Sequence, residues 1–168
     1  VTALVGYRVV ELASERTAMA GKLLADMGAE VIVVEPPGGA AMRGHGPFVD
    51  DQPDPERSLP WWHYNTSKRS VVVDLDDDMG RADWIALVRS ADVVLEGEPL
   101  GRLADIGIDW AQLSTDRPEL IWTSITYDGR DGTDPPLTDL TLLAEGGPVW
   151  SCGYDDHSLP PVRGGGNQ

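Results

Sequence analysis

Lys22-Leu-Leu-Ala-Asp-Met-Gly-Ala-Glu-Val-Ile-Val-Val-Glu-Pro-Pro-Gly-Gly39 decides the fold. Leu23, Leu24 and Met27, with Met19 before them, recur at helical spacing and predict a helix over 17–27. Gly28 stands where a helix stops, because glycine enters the left-handed region without a steric penalty. Val31–Val34 is a β-branched run, the signature of a strand buried on both faces of a parallel sheet. Tyr7–Leu12, upstream, is a mostly apolar segment of the same kind. Strand, helix and strand in this order form a βαβ unit, whose strands run parallel and whose ligands bind at the strands' carboxyl ends.

Outward from this unit, 35–67 is rich in Pro, Gly, Asp and His and shows no period, so it reads as a long loop. Its aromatic end, Trp61-Trp62-His63-Tyr64-Asn65, is expected to pack back onto the body. Ser70–Asp74 predicts a strand, Leu75–Gly80 a turn with capping aspartates, Arg81–Ser90 a helix and Ala91–Leu95 a strand. Arg102–Ile106 and Trp110–Leu113 predict short helical turns, Leu120–Thr126 a strand and Leu137–Glu145 a helix. Alternation of this kind specifies an α/β fold, a Rossmann-like, mostly parallel sheet with flanking helices.

The chain has 168 residues, 41% of them apolar, enough for one domain with its own core. No apolar run approaches the roughly 20 residues that span a bilayer, and the first residues do not resemble a signal peptide. One cysteine, Cys152, rules out an intrachain disulfide framework and suits a reducing, cytoplasmic setting. A net charge of -15 opposes nucleic acid and anionic membrane as partners, since both are gripped through Lys and Arg.

Several motifs resolve toward structure rather than chemistry. Ala13-Ser-Glu-Arg-Thr-Ala18 lacks the glycines of a dinucleotide loop, although Glu35 lies at a strand end where a ribose-binding acid would be. Asp74, Asp76 and Asp78 begin like a calcium loop, but Met79 replaces the glycine and Ile85 the final acid, so a helix-capping cluster is expected and no metal. Cys152, Asp155 and His157 are close in sequence, which is not triad geometry, and a turn is expected there. His45 and His63 are expected in solvent. Lys68-Arg69 is the compact basic spot, either pairing nearby carboxylates or supporting a ligand-facing turn. Asp139 is either a helix N-cap or a carboxylate of a substrate pocket.

Five blocks in order resemble the N-terminal part of the class III coenzyme A transferases, the family of formyl-CoA transferase, carnitine CoA-transferases and α-methylacyl-CoA racemase. They are Lys22–Gly39; Asn65-Thr-Ser-Lys-Arg-Ser-Val-Val-Val-Asp-Leu75; Ala91-Asp-Val-Val-Leu-Glu96 with Leu103-Ala-Asp-Ile-Gly-Ile108; Pro118-Glu-Leu-Ile-Trp-Thr-Ser-Ile125; and Thr138-Asp-Leu-Thr-Leu142 with Pro160-Pro-Val-Arg163. The resemblance implies a Rossmann-like large domain whose small domain and C-terminal return lie outside 1–168. It implies an interlocked dimer, either a homodimer or a heteromer with a related chain. The implied substrates are an acyl-CoA and a carboxylic acid. An Asp carboxylate would attack the thioester to form a mixed anhydride, nucleophilic catalysis that splits one hard step into two. By the spacing after Pro160-Pro161 that Asp would fall just beyond Gln168, so the catalytic residue is unknown from this sequence. The resemblance also implies that Arg16, Val73, Gly97 and Ile106 line the CoA side.

Departures from the family pattern cluster on the CoA side. Arg16-Thr17 replaces a small Ala-Gly pair, Glu96-Gly97-Glu98 replaces Glu-Asn-Phe, and Asp76 and Asp105 replace cations. Coulomb reasoning sets these carboxylates against the phosphates of CoA, with Arg16 as partial compensation. Thr138 stands where racemases carry a catalytic His, which disfavours racemisation. Two functions follow as expectations: a CoA-transferase, or a non-catalytic related subunit that completes a heteromeric complex.

Overall fold

A computed structural model describes residues 3–133 and 138–149, together with Cys152 and Ser158. The chain divides into two compact units, 1–133 and 134–168. In the first, strands β1 (Arg8–Leu12), β2 (Glu30–Glu35), β3 (Arg69–Val72), β4 (Val93–Glu96) and β5 (Ile121–Ser124) form one sheet in the order β3-β2-β1-β4-β5. Every pairing is parallel, with Val9 opposite Val31 on one side and Val93 on the other. The chain builds outward from β1 to β3, then crosses to the other side for β4. The carboxyl ends of β1 and β4 therefore flank a topological switch point, where α/β sheets bind ligands.

Strand side chains alternate between the two faces, and two cores follow from that period. Val9, Val31 and Leu95 pack with Ala25 and Ala29 at the level of helix α1 (Glu15–Asp26). Val10, Leu12, Val34 and Val94 pack with Trp84 and Val88 of helix α3 (Asp78–Arg89) and Leu113 of helix α5 (Trp110–Asp116). Trp84 is fully buried and meets Trp122 edge to face, ring centroids 5.5 Å apart. The fold is thus the α/β architecture that the strand–helix alternation predicts.

Residues 35–67 depart from the loop expected there. They contain two 3₁₀ turns, Ala41–Gly44 and Val49–Asp51, and helix α2, Leu59–Asn65. The Ser58 hydroxyl caps α2 by accepting from the Trp61 amide at 3.2 Å. Trp61 then buries against Ala18, Val33, Ala40 and Met42, so the aromatic run does return to the body. Helix α1 begins at Glu15, ahead of the predicted 17, because Ser14 caps it through the Thr17 amide. Asp77 caps α3 by accepting from the Met79 and Gly80 amides, as expected for the aspartate cluster.

In the second unit, helix α6 spans Asp139–Glu145. Its N-cap is Thr138, which forms a capping box with Thr141. The N-cap role weighed for Asp139 is therefore Thr138's; Asp139 is the first helical residue, and its side chain lies outside the described residues. Asp155, His157 and Pro160-Pro161 also lie outside them.

Candidate functional site

The switch-point crevice is built by the turns that leave β1 and β4. Leu12 ends β1, and Ser14 caps α1, whose 12 residues aim their amino end at the crevice. Unsatisfied amides and the helix dipole favour an anion there. Thr17 does not face the crevice. It is fully buried, and its hydroxyl lies 2.9 Å from the Leu12 carbonyl and 3.1 Å from Glu11 Oε1. Of the Arg16-Thr17 pair, only Arg16 is exposed.

Opposite, Gly97 follows β4 and is buried. A Cβ at Gly97 would lie 2.7 Å from Ser14 Oγ and 3.0 Å from Arg16 Cβ, so the two turns touch and only glycine fits. The Arg16 guanidinium lies 3.4 Å from the Gly97 carbonyl. Two residues assigned to CoA by resemblance, Arg16 and Gly97, are thus brought together at the switch point.

Val73 and Ile106 are placed differently. Val73 is buried just past β3, its amide donating to the Glu35 carbonyl at 2.9 Å. Ile106 ends helix α4 (Arg102–Asp105) and is partly buried against the same apolar cluster that holds Val73. Arg102 pairs with Asp76, which ties the β4–α4 turn to the β3–α3 turn. The carboxylate at 76 therefore has a cationic partner 26 positions away. Asp76 is identified as a departure from the sequence alone, but no local pattern identifies Arg102 as its partner.

Charge at the crevice is mixed. Glu96 is buried and accepts from the Glu98 amide at 2.9 Å. Burial raises the Glu98 carboxyl above its ordinary value; Glu96 and Asp76 add to the rise, while Arg102 and Arg16 oppose it. Two arginines and two carboxylates thus act on one partly buried acid.

Two ion-pair hubs hold the walls. Glu35, at the end of β2, receives Arg43 through both oxygens at 2.6 and 2.8 Å, the Ala40 amide at 2.9 Å, and the Ser70 hydroxyl. Arg43 also stacks 4.2 Å from the Trp61 ring centroid and pairs with Glu56. Burial alone would raise Glu35, but Arg43, Ser70 and Ala40 overcome it and hold the carboxyl at about 2. Its oxygens are committed to the protein, which removes it as a ribose ligand. On β1, Glu11 pairs with Lys68 at 2.8 Å, each side chain 1% exposed. Lys68 also donates to the Ala18 carbonyl and to Asn65 Oδ1. Burial pushes Glu11 up and Lys68 down, and their mutual attraction opposes both shifts. Arg69 pairs with Glu30. Both cations of the basic spot therefore pair carboxylates, the structural of its two readings.

A cavity of about 70 Å³ lies beside the first turn of α1, lined by Glu11, Ser14, Glu15, Met42, Trp61 and Asn65 among others. Small-molecule sites enclose about 300–1,000 Å³, so this cavity is too small for a nucleotide. His45 is half exposed and contacts Glu15 at 2.6 Å, and His63 is exposed. Among the described residues no helix is long and apolar enough to cross a membrane.

The family model for CoA-transferase family III matches residues 4–166. Succinyl-CoA:(R)-benzylsuccinate CoA-transferase subunit BbsE of Thauera aromatica is 38% identical over 164 residues, 96% of this chain and 40% of that protein. Succinate--glutarate CoA-transferase of Agrobacterium fabrum is 44% identical over 147 residues, 85% of this chain and 37% of that protein. The crystal structure of a CaiB/BaiF family protein from Brucella suis superposes with a TM-score of 0.86 at 37% identity, covering 98% of this chain and 44% of that one. The chain thus spans about two fifths of the length of the curated relatives it matches.

Proposed function

Because the chain belongs to CoA-transferase family III, we propose that it supplies the CoA-binding part of an enzyme that moves CoA between an acyl-CoA thioester and a carboxylic acid. The family match over nearly its whole length carries this reading. The contact of Arg16 with Gly97 at the switch point supports it, because a guanidinium, a helix amino end and a glycine that admits close backbone approach suit a phosphate-bearing ligand. In this proposal Arg16 and Gly97 touch CoA, Val73 and Ile106 shape the wall behind it, and Asp139 belongs to the acid pocket. The attacking carboxylate is an aspartate beyond Gln168. It attacks the thioester carbonyl, the C–S bond breaks, the thiolate of CoA leaves, and the acyl group stays on the carboxylate as a mixed anhydride. The enzyme works in the cytoplasm as an interlocked dimer.

The test is an assay of the full-length protein with succinyl-CoA and a panel of free carboxylic acids, followed by mass spectrometry of the CoA esters. A new CoA ester with at least one acid is the expected result. The absence of any new ester, together with no CoA binding by calorimetry, overturns the proposal. A second reading, a non-catalytic subunit of a heteromer, is favoured by one observation: Asp76 engages Arg102 and leaves Glu98 among the charges of the crevice. It predicts that transfer appears only when a related chain is added.

A further inference from the structure

Helix α1 does not distribute its residues as a surface helix does. Such a helix turns an apolar stripe to the core and polar side chains to water. The buried residues of α1 are Thr17, Ala18, Gly21 and Ala25, none of them large. The ion pair beneath the helix requires this: a Cβ at Gly21 would stand 1.8 Å from Glu11 Oε2 and 2.9 Å from Lys68 Nζ. Large apolar side chains lie outward instead. Met19 and Leu23 are each 50% exposed, and Met27, the C-cap, is 37% exposed. They recur every fourth residue and so form one stripe along the helix. A helix that is apolar on its outer face as well as its inner one is built to be covered by a second body.

We propose that a second copy of this chain covers the stripe, the two α1 helices packing antiparallel across a two-fold axis at Leu23. The inference names a surface for the dimer proposed above and does not depend on CoA transfer. A two-fold contact sets one patch against itself, so the patch must be self-complementary. About a centre at Leu23, Met19 of one copy meets Met27 of the other, and Leu23 meets Leu23. The flanks agree in charge. Lys22 and Asp26 pair within the helix at 2.6 Å and lie on one side of the stripe; Ala20 and Leu24 lie on the other. The antiparallel two-fold brings the charged flanks together, with each Lys22 about 3 Å along the axis from Asp26 of the other copy and the two Asp26 about 9 Å apart along it. A parallel pair would set the charged flank against Ala20 and Leu24 of the other copy. Three half-exposed side chains per copy fall short of the roughly 800 Å² per partner that a stable interface buries. The seam is therefore one part of a larger dimer contact.

Leu23→Cys in the full-length protein, in a Cys152→Ala background, tests this. Helix axes 8–10 Å apart, with each Cα about 2.3 Å from its axis, put the two Cα atoms at position 23 about 4–5 Å apart, within reach of a disulfide. Mild oxidation should link about half of the chains or more into a dimer that reductant separates. Met19→Cys should not link to itself, because its two copies stand about 12 Å apart along the helices. The wild-type protein gives a second measurement that needs no variant to fold. An amine-reactive crosslinker should join Lys22 to Lys22, a link between identical peptides that only two copies can make. A thiol at position 23 that maleimide modifies without any link would show an open face. One that maleimide reaches only after unfolding, again without a link, would show a face covered by the rest of the same chain. Linking at 19 as strong as at 23 would show parallel packing or random collision. Each of these, in a protein that light scattering shows to be a dimer, overturns the inference alone. A monomer by light scattering overturns it together with the dimer proposed above, and leaves the transfer reading to its own assay.

Discussion

Glu35 shows how one carboxylate organises a wall of the crevice. Burial disfavours its charge, yet Arg43, Ser70 and Ala40 more than compensate and hold it at about 2, against an ordinary 4.5. A folded-state value below the unfolded one means that the native state binds fewer protons between them. The stabilisation is therefore complete above about 4.5 and is lost as pH falls toward 2. The loss is on the order of 3 kcal/mol. Urea unfolding at successive pH values should show it, and Glu35→Gln should be less stable at neutral pH with a flatter acid profile. An unchanged profile would place the acid sensitivity elsewhere. Glu11 and Lys68 behave differently, because both are buried and desolvation opposes both charges. Lys68→Met leaves an uncompensated buried carboxylate and should cost about 3–5 kcal/mol. The double variant Glu11→Leu, Lys68→Met should recover a large part of that loss, since an apolar pair of similar volume often replaces a buried ion pair without penalty. Additive losses in the double-mutant cycle would show that the two residues do not act as a pair.

At the scale of elements, Gly80 in α3 makes a sharper test than any helix propensity. Glycine inside a helix ordinarily costs about 1 kcal/mol relative to alanine, so Gly80→Ala should stabilise an isolated α3. In the fold, an added Cβ would stand 1.9 Å from the Asp74 carbonyl oxygen, a backbone atom in the turn that positions Asp76. Gly80→Ala should therefore destabilise by about 1–3 kcal/mol, read as a lower urea midpoint at constant slope. A gain in stability would mean that the turn yields freely. This contrast marks what the sequence carries and what it does not. The β-branched runs of β1, β2 and β4 and the period of α3 are local signals, and the sheet is legible from them. Helix α2 is not, because Pro60 and the preceding Pro- and Asp-rich residues resemble a loop, and the helix is secured by tertiary partners: Trp61 under Arg43, and Asn65 accepting from Lys68, which is itself held by Glu11. The ion pair inside β1 is equally hidden, since an apolar strand with one Glu gives no sign of a lysine from another element. At the crevice, Arg16 and Gly97 are singled out one by one, but their contact across 81 positions is tertiary, as is the engagement of Arg102 by Asp76.

For the whole molecule the governing quantity is charge. The chain carries -15, and the proposed ligand is itself a polyanion. A cation-lined site draws such a ligand in from a distance, and its association rate falls as salt screens the attraction. Here the long-range field of the chain opposes approach, while the amino end of α1 and Arg16 supply local positive charge at the switch point. Screening acts first on separations beyond the Debye length, about 10 Å at 0.1 M salt, so it removes the repulsion of the surface before it weakens short contacts in the crevice. The association rate of CoA should therefore rise, by about two- to fivefold between 20 and 200 mM sodium chloride, while the dissociation rate changes less. Stopped-flow measurement with a fluorescent CoA analogue on the full-length protein separates the two rates. An association rate that falls with salt would show that residues outside 1–168 reverse the field at the crevice, and would place the steering of CoA in that remainder of the protein.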